Sequence, residues 1–143
     1  MLRPVARVKN SISDPGRQDW ARVVSEVVVY PDFEEALDGI EQFSHLVVLF
    51  WMHKVSAEGR SEIKVHPQRR TDLPLVGVFA TRSPARPNPL GISVVKLIER
   101  KGNILRVTGL DAIDGTPVVD IKPYLPGDSI SAPRVADWVH KLG

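Results

Sequence analysis

Seven short runs rich in branched apolar residues, each bounded by turn-forming residues, constrain this 143-residue chain most. They are Val23–Tyr30, His45–Met52, Glu62–His66, Leu75–Ala80, Ser93–Glu99, Ile104–Gly109 and Val118–Lys122. Runs of this length and composition read as strands. His45–Met52 is almost wholly apolar, which predicts a strand buried on both faces. Arg100–Asn103 (RKGN) carries tight-hairpin chemistry between two runs, and Asp114–Pro117 (DGTP) reads as a second turn in which Gly115 is free to take positive φ. Helix signals are few. Asp32 with Glu35 three residues on predicts a capping box for a short helix that Gly39 ends. Pro133–Leu142 predicts a closing helix with Gly143 as its terminator. Strands and helices do not alternate as a doubly wound sheet requires, so the expected fold is mainly β: one small barrel domain over residues 1–143 with few peripheral helices.

Phe79–Gly91 (FATRSPARPNPLG) sits between two of these runs and is too rigid and too cationic for an ordinary connection. Pro84, Pro87 and Pro89 fix their own φ, and each pushes the preceding Ser83, Arg86 or Asn88 into extended backbone. Arg82 and Arg86 therefore lose little freedom on binding, and a guanidinium fork suits carboxylate or phosphate oxygens. Gly91 leaves room for a close approach by a ligand or another strand. The alternative is a stiff inter-strand connection whose arginines pair with acidic neighbours. A second dense stretch, Asp111–Asp128, places Asp120, Lys122 and Tyr124 on one face of a strand. An acid, a base and a phenol could together bind a polar ligand or move a proton, or Asp120 and Lys122 could simply pair on an exposed face. Phe50 and Trp51 read as core.

Net charge is only +2, so whole-chain charge argues weakly for nucleic acid. Its distribution says more. Between Lys54 and Arg86 seven basic residues face three acidic ones, an excess of +4 that suits a phosphate-bearing partner or a solvated loop. The chain has no cysteine, which excludes disulfides and thiolate metal sites. The histidines His45, His53, His66 and His140 lack metal-binding spacing, so no metal is expected. Neither common nucleotide-binding glycine loop nor a nucleophile elbow is present. No signal peptide or membrane span is read, and a soluble cytoplasmic protein is expected.

Two stretches, VGVFATRSPARPNPLGIS and DGTPVVDIKPYLP, with FSHLVVLFWMHK as a third, resemble the TsaA-like family from about Phe43 to Pro126. That family comprises β-barrel proteins, including the S-adenosylmethionine-dependent tRNA methyltransferases of the TrmO type. The resemblance implies methyl transfer to N6 of threonylcarbamoyladenosine beside the tRNA anticodon by a homodimer. By the same resemblance His53, Lys54, Arg82, Leu90, Gly91, Ile92, Asp114, Gly115, Thr116 and Pro117 line the S-adenosyl-L-methionine site. Arg60, Lys64, Arg69 and Arg70 become candidates for contact with tRNA, Arg86 and Asn88 for fixing the loop or meeting RNA, and Asp120 for the general base, with Lys122 and Tyr124 orienting it or the substrate. The chain departs from longer relatives in two places. Asp14–Gln18 (DPGRQ) holds the residues of their Arg-Gln-Pro-Gly cofactor segment in altered order, and the chain ends soon after the last motif, so their additional C-terminal domain is expected to be absent. A cofactor-binding sensor or interaction module without tRNA chemistry, and a methyltransferase with another substrate, are the alternatives.

Overall fold

The structure, a computed structural model, describes residues 1–14, 16 and 19–142. The Asp14–Gln18 reading falls largely on Pro15, Arg17 and Gln18, and the Gly143 terminator on Gly143, all outside the described residues. The chain forms two compact units, Met1–His53 with Leu90–Leu125, and Lys54–Pro89 with Pro126–Gly143.

The first unit is a closed six-stranded barrel, as the strand-rich sequence predicts. Its strands are β1 (Ala6–Lys9), β2 (Val24–Val29), β3 (His45–Trp51), β6 (Leu90–Lys101), β7 (Ile104–Thr108) and β8 (Pro117–Pro123). They close in the order β1-β2-β7-β6-β3-β8, every neighbour antiparallel. Closure leaves no edge to template aggregation. Alternation selects the core: Ala6 and Val8, Val27 and Val29, Leu46, Val48 and Phe50, Val95, Leu105 and Val107, and Val118 all point inward. The RKGN hairpin forms as expected, with Lys101 opposite Ile104 and Gly102 at φ 59.

Three expectations need correction. β3 is buried on one face only: Leu46, Val48 and Phe50 are inside, while Val47, Leu49 and Trp51 are half-buried on the outer face, so Trp51 is not core. The segment after β2 is a 3-10 helix, Pro31–Leu37, capped at Tyr30 with no side-chain bond, so Asp32 makes no capping box. Gly39 does break the chain there, at φ 90, and a second 3-10 turn, Ile40–Gln42, comes next. Arg100 holds this region by donating to Leu37 O and Glu41. The closing helix shrinks to a 3-10 turn, Asp137–Lys141, after Ala132 takes φ 49.

The second unit is built from short pieces. A single-turn helix, α1 (Ala57–Arg60), is capped by the Ser56 hydroxyl, which accepts from Gly59 N. Two residue pairs, β4 (Lys64–Val65) and β5 (Val76–Gly77), make a minimal antiparallel sheet where the sequence predicts two longer strands. Leu73, Val78, Pro67 and Pro89 supply its buried apolar groups. Gln68 and Arg69 both take left-handed backbone, φ 53 and 58. Arg70 anchors the chain just beyond them, gripping Asp72 through two bonds of 3.1 and 2.7 Å and donating to Lys141 O.

Candidate functional site

Register brings three expected segments of the barrel unit to one end of the barrel. Trp51 lies opposite Leu90, and Phe50 is flanked by Gly91 on β6 and Val118 on β8. The tail of β3 leading to His53, the Leu90–Ile92 stretch and the Asp114–Pro117 turn are thus neighbours, although they lie far apart in the sequence. Leu90 and Ile92 stand on the outer face of β6, 36% and 51% exposed, and His53 is exposed.

Gly91 makes room for the neighbouring strand, one of the two close approaches its sequence context allows. A Cβ there would lie 2.4 Å from the Phe50 ring of β3, so a core aromatic fills the space. Thr116 is buried, and its hydroxyl donates to Ile113 O at 2.7 Å, so it shapes the turn from within. Gly115 takes φ 83 as expected, and its N–H donates to Val8 O. Asp114 N donates to Ile12 O, while its carboxylate Oδ1 accepts from Asn10 N at 3.0 Å.

Asn10 is the hub that sequence reasoning missed. Its Nδ2 donates to Ser25 Oγ and Ala112 O, and its Oδ1 accepts from Ile12 N. One side chain ties the end of β1 to β2 and to the turn before β8. No local pattern announces it, because its side-chain partners across the fold are 15 and 102 residues away.

Asp120 and Lys122 meet at 3.0 Å on the outer face of β8, with Asp120 Oδ1 also accepting from Ile121 N. A bulge precedes them: Leu49 is opposite Asp120 but Phe50 is opposite Val118, so Val119 is the extra residue. The bulge turns Val118 and Ile121 toward the core and leaves Asp120 and Lys122 outside. Tyr124 lies apart. Four residues of strand carry it roughly 13 Å from Asp120, and its ring meets His45 edge-on at 6.5 Å. Asp111, whose N–H donates to Ser93 Oγ, is a further carboxyl of this unit; it reaches the surface, yet partial desolvation by the surrounding protein shifts its pKa upward.

In the second unit the proline loop is locked by its own hydrogen bonds. The Arg86 guanidinium donates to Val78 O and Thr81 O. Thr81 Oγ1 donates to Val78 O and accepts from Ser83 N, and Ser83 Oγ accepts from Ala85 N. Arg60 Nε donates to Pro87 O at 3.0 Å, fastening α1 to the loop. Two candidate RNA contacts, Arg60 and Arg86, thus spend donors on loop carbonyls, and a third, Arg70, on Asp72. Lys54, Lys64, Arg69, Arg82 and Asn88 are exposed. Among the described residues there is no cluster of three metal-ligating side chains and no helix long and apolar enough to cross a membrane.

Comparison with known proteins identifies the chain's relatives. The chain is 48% identical over 120 residues to a probable S-adenosyl-L-methionine-binding protein of Pyrococcus abyssi, covering 81% of this chain and 62% of that one. It is 50% identical over 96 residues to the tRNA (adenine(37)-N6)-methyltransferase of Escherichia coli, covering 64% and 40%. A crystal structure of TrmO superposes with a TM-score of 0.75 at 34% identity, over 94% of this chain and 62% of that chain. The chain therefore spans less than two-thirds of each of these proteins. Residues 9–128 match the family described as the tRNA-methyltransferase O N-terminal domain, and the chain belongs to that family.

Proposed function

We propose that this chain transfers a methyl group from S-adenosyl-L-methionine to N6 of threonylcarbamoyladenosine beside a tRNA anticodon. The observation that carries the proposal is the proline loop: Arg86 and the Thr81 and Ser83 hydroxyls hold its backbone, and Arg82 stands exposed on it, in a chain half-identical to an E. coli tRNA methyltransferase over 96 residues. A held arginine loses little entropy on meeting an anionic group.

The residues present suit the cofactor's chemistry. Leu90 and Ile92 offer apolar surface for an adenine, and Asp114 offers a carboxylate for hydroxyl or ammonium groups. Lys54 and Arg82 offer cations for a carboxylate, and His53, Gly91, Gly115, Thr116 and Pro117 complete the proposed set. Gly91 and Thr116 would act through shape, since one is filled by Phe50 and the other bonded internally. When bound, the cofactor supplies an electrophilic methyl on a sulfonium: N6 gains the carbon, and the broken S–C bond leaves its electron pair on sulfur.

The protein's part is alignment, exclusion of water and removal of the N6 proton. Asp120 is the proposed base, and Lys122 its positioning residue through the 3.0 Å contact. Tyr124, held against His45, would bear on the substrate rather than on that carboxylate. Lys64, Arg69 and Asn88 are proposed to meet tRNA, with Arg60, Arg70 and Arg86 contributing whatever donors their internal bonds leave. A homodimer acting in the cytoplasm completes the proposal. The name of the P. abyssi relative supports a second reading, cofactor binding without this reaction.

Mass analysis of tRNA nucleosides from a strain lacking the gene, with and without the gene restored, tests the proposal. It expects the N6-methyl nucleoside only in the restored strain, and calorimetry to show S-adenosyl-L-methionine binding. Cofactor binding with unaltered tRNA would leave the second reading. Asp120→Asn should slow methyl transfer by about tenfold or more with cofactor affinity nearly unchanged, and unaltered turnover would remove Asp120 from the mechanism.

A further inference from the structure

Phe79 is 86% exposed, at the centre of a 3-10 turn, Val78–Ala80, whose other parts are tightly held. Val78 before it is buried, and Val78 N donates to Ile63 O. Val78 O accepts from both the Arg86 guanidinium and the Thr81 hydroxyl, and Thr81 O accepts from Arg86 again. The backbone on either side of the ring is thus fixed, and the ring is directed into solvent rather than left on a slack loop. Leaving a phenylalanine this exposed forfeits most of the stabilisation that burying it would bring. Lys64, paired across the small sheet with Gly77, and Arg69 are exposed, as are the apolar Ile63 and Leu75 that flank that sheet. Nine Lys and Arg against five Asp and Glu give this unit a net charge of +4.

An exposed π-face on fixed backbone, in a unit that also exposes cations, is an arrangement that takes up an unstacked base while the cations meet the flanking phosphates. A protein partner would be expected to seat the ring in a charge-depleted interface core, whereas this unit carries an excess of +4. We infer that Phe79 is a stacking platform for one unpaired nucleobase of the RNA. The inference rests on the tRNA reading above and adds to it a residue that reads a base rather than the backbone.

The test is an anisotropy titration of labelled unmodified tRNA with the full chain at several salt concentrations. Stacking predicts that Phe79→Ala weakens binding roughly 5- to 150-fold. The salt slope should stay unchanged, because the substitution removes no cation from a phosphate. Phe79→Trp should restore affinity to within about twofold. Undiminished affinity in Phe79→Ala overturns the inference. So does a loss that Phe79→Trp fails to restore and that accompanies a changed sedimentation mass, which makes the ring a protein contact. Wild-type chain that does not bind tRNA at all overturns the tRNA reading itself, visible before any variant is made.

Discussion

The two units of this molecule stabilise their surfaces in opposite ways. The barrel unit carries ten Lys and Arg against twelve Asp and Glu, closes its sheet completely, and draws its order from a contiguous apolar core. The second unit carries an excess of +4, has only two-residue strands, and draws its order from arginines and hydroxyls bonded to loop carbonyls. The lesson is that its cations fall into two kinds. Arg60, Arg70 and Arg86 serve as internal struts, and the exposed Lys64, Arg69 and Arg82 are what those struts present.

The contrast can be broken by substitution, and the largest effects belong to the barrel. Leu105→Ala empties a fully buried position and should lower unfolding free energy by about 2–5 kcal/mol, measured by urea denaturation. Gly91→Ala forces a Cβ into the Phe50 ring and should cost roughly 1–3 kcal/mol. Pairing it with Phe50→Leu should recover part of that, because the two residues share one contact. Arg86→Lys keeps the charge but loses the fork on Val78 and Thr81. Loop amides at Ser83 and Ala85 should exchange about tenfold faster or more, while barrel amides keep their protection. Equal acceleration in the barrel would mean the two units do not differ in the way described.

The smallest effects are those of pH, and Asp111 and Asp72 show them with opposite signs. Burial raises Asp111, so its favourable contribution is complete below the ordinary carboxylate pKa and is lost as pH rises through the raised value. Asp111→Asn should therefore gain stability over wild type near neutral pH and nothing in acid below the ordinary carboxylate range. The Arg70 hydrogen bond lowers Asp72, so that contribution is present at neutral pH and is lost as pH falls through the lowered value. Asp72→Asn should lose its small effect in acid. Melting curves across pH read both.

These differences also explain what was legible from residues alone. Strands showed because branched apolar runs and RKGN are local patterns, and the number of strands with few helices led to the barrel. β1 was missed: Ala6–Lys9 is four residues long with cations on its outer face. The expected helices became 3-10 turns because segments this short, broken by Gly39 or by the turn at Ala132, do not repay α-helix nucleation. The Val119 bulge and the Asn10 hub depend on partners far along the chain, which no local pattern encodes. The Asp120–Lys122 alternative of a plain surface pair was visible, and the pair formed. For Arg86 the sequence leaves two roles open, fixing the loop or meeting RNA, and its fork does turn back to the loop carbonyls.

The most direct measurement is the salt dependence of tRNA binding by three forms of the full chain. They are wild type, a Lys64→Ala, Arg69→Ala double variant, and an Arg7→Ala, Lys9→Ala double variant in β1. The account predicts that the Lys64, Arg69 variant binds more weakly and flattens the slope of log affinity against log salt by about 1.4, at roughly 0.7 for each single-strand phosphate no longer neutralised. It predicts no change for the β1 variant. A flattened slope in the β1 variant with an unaltered slope in the Lys64, Arg69 variant would contradict it.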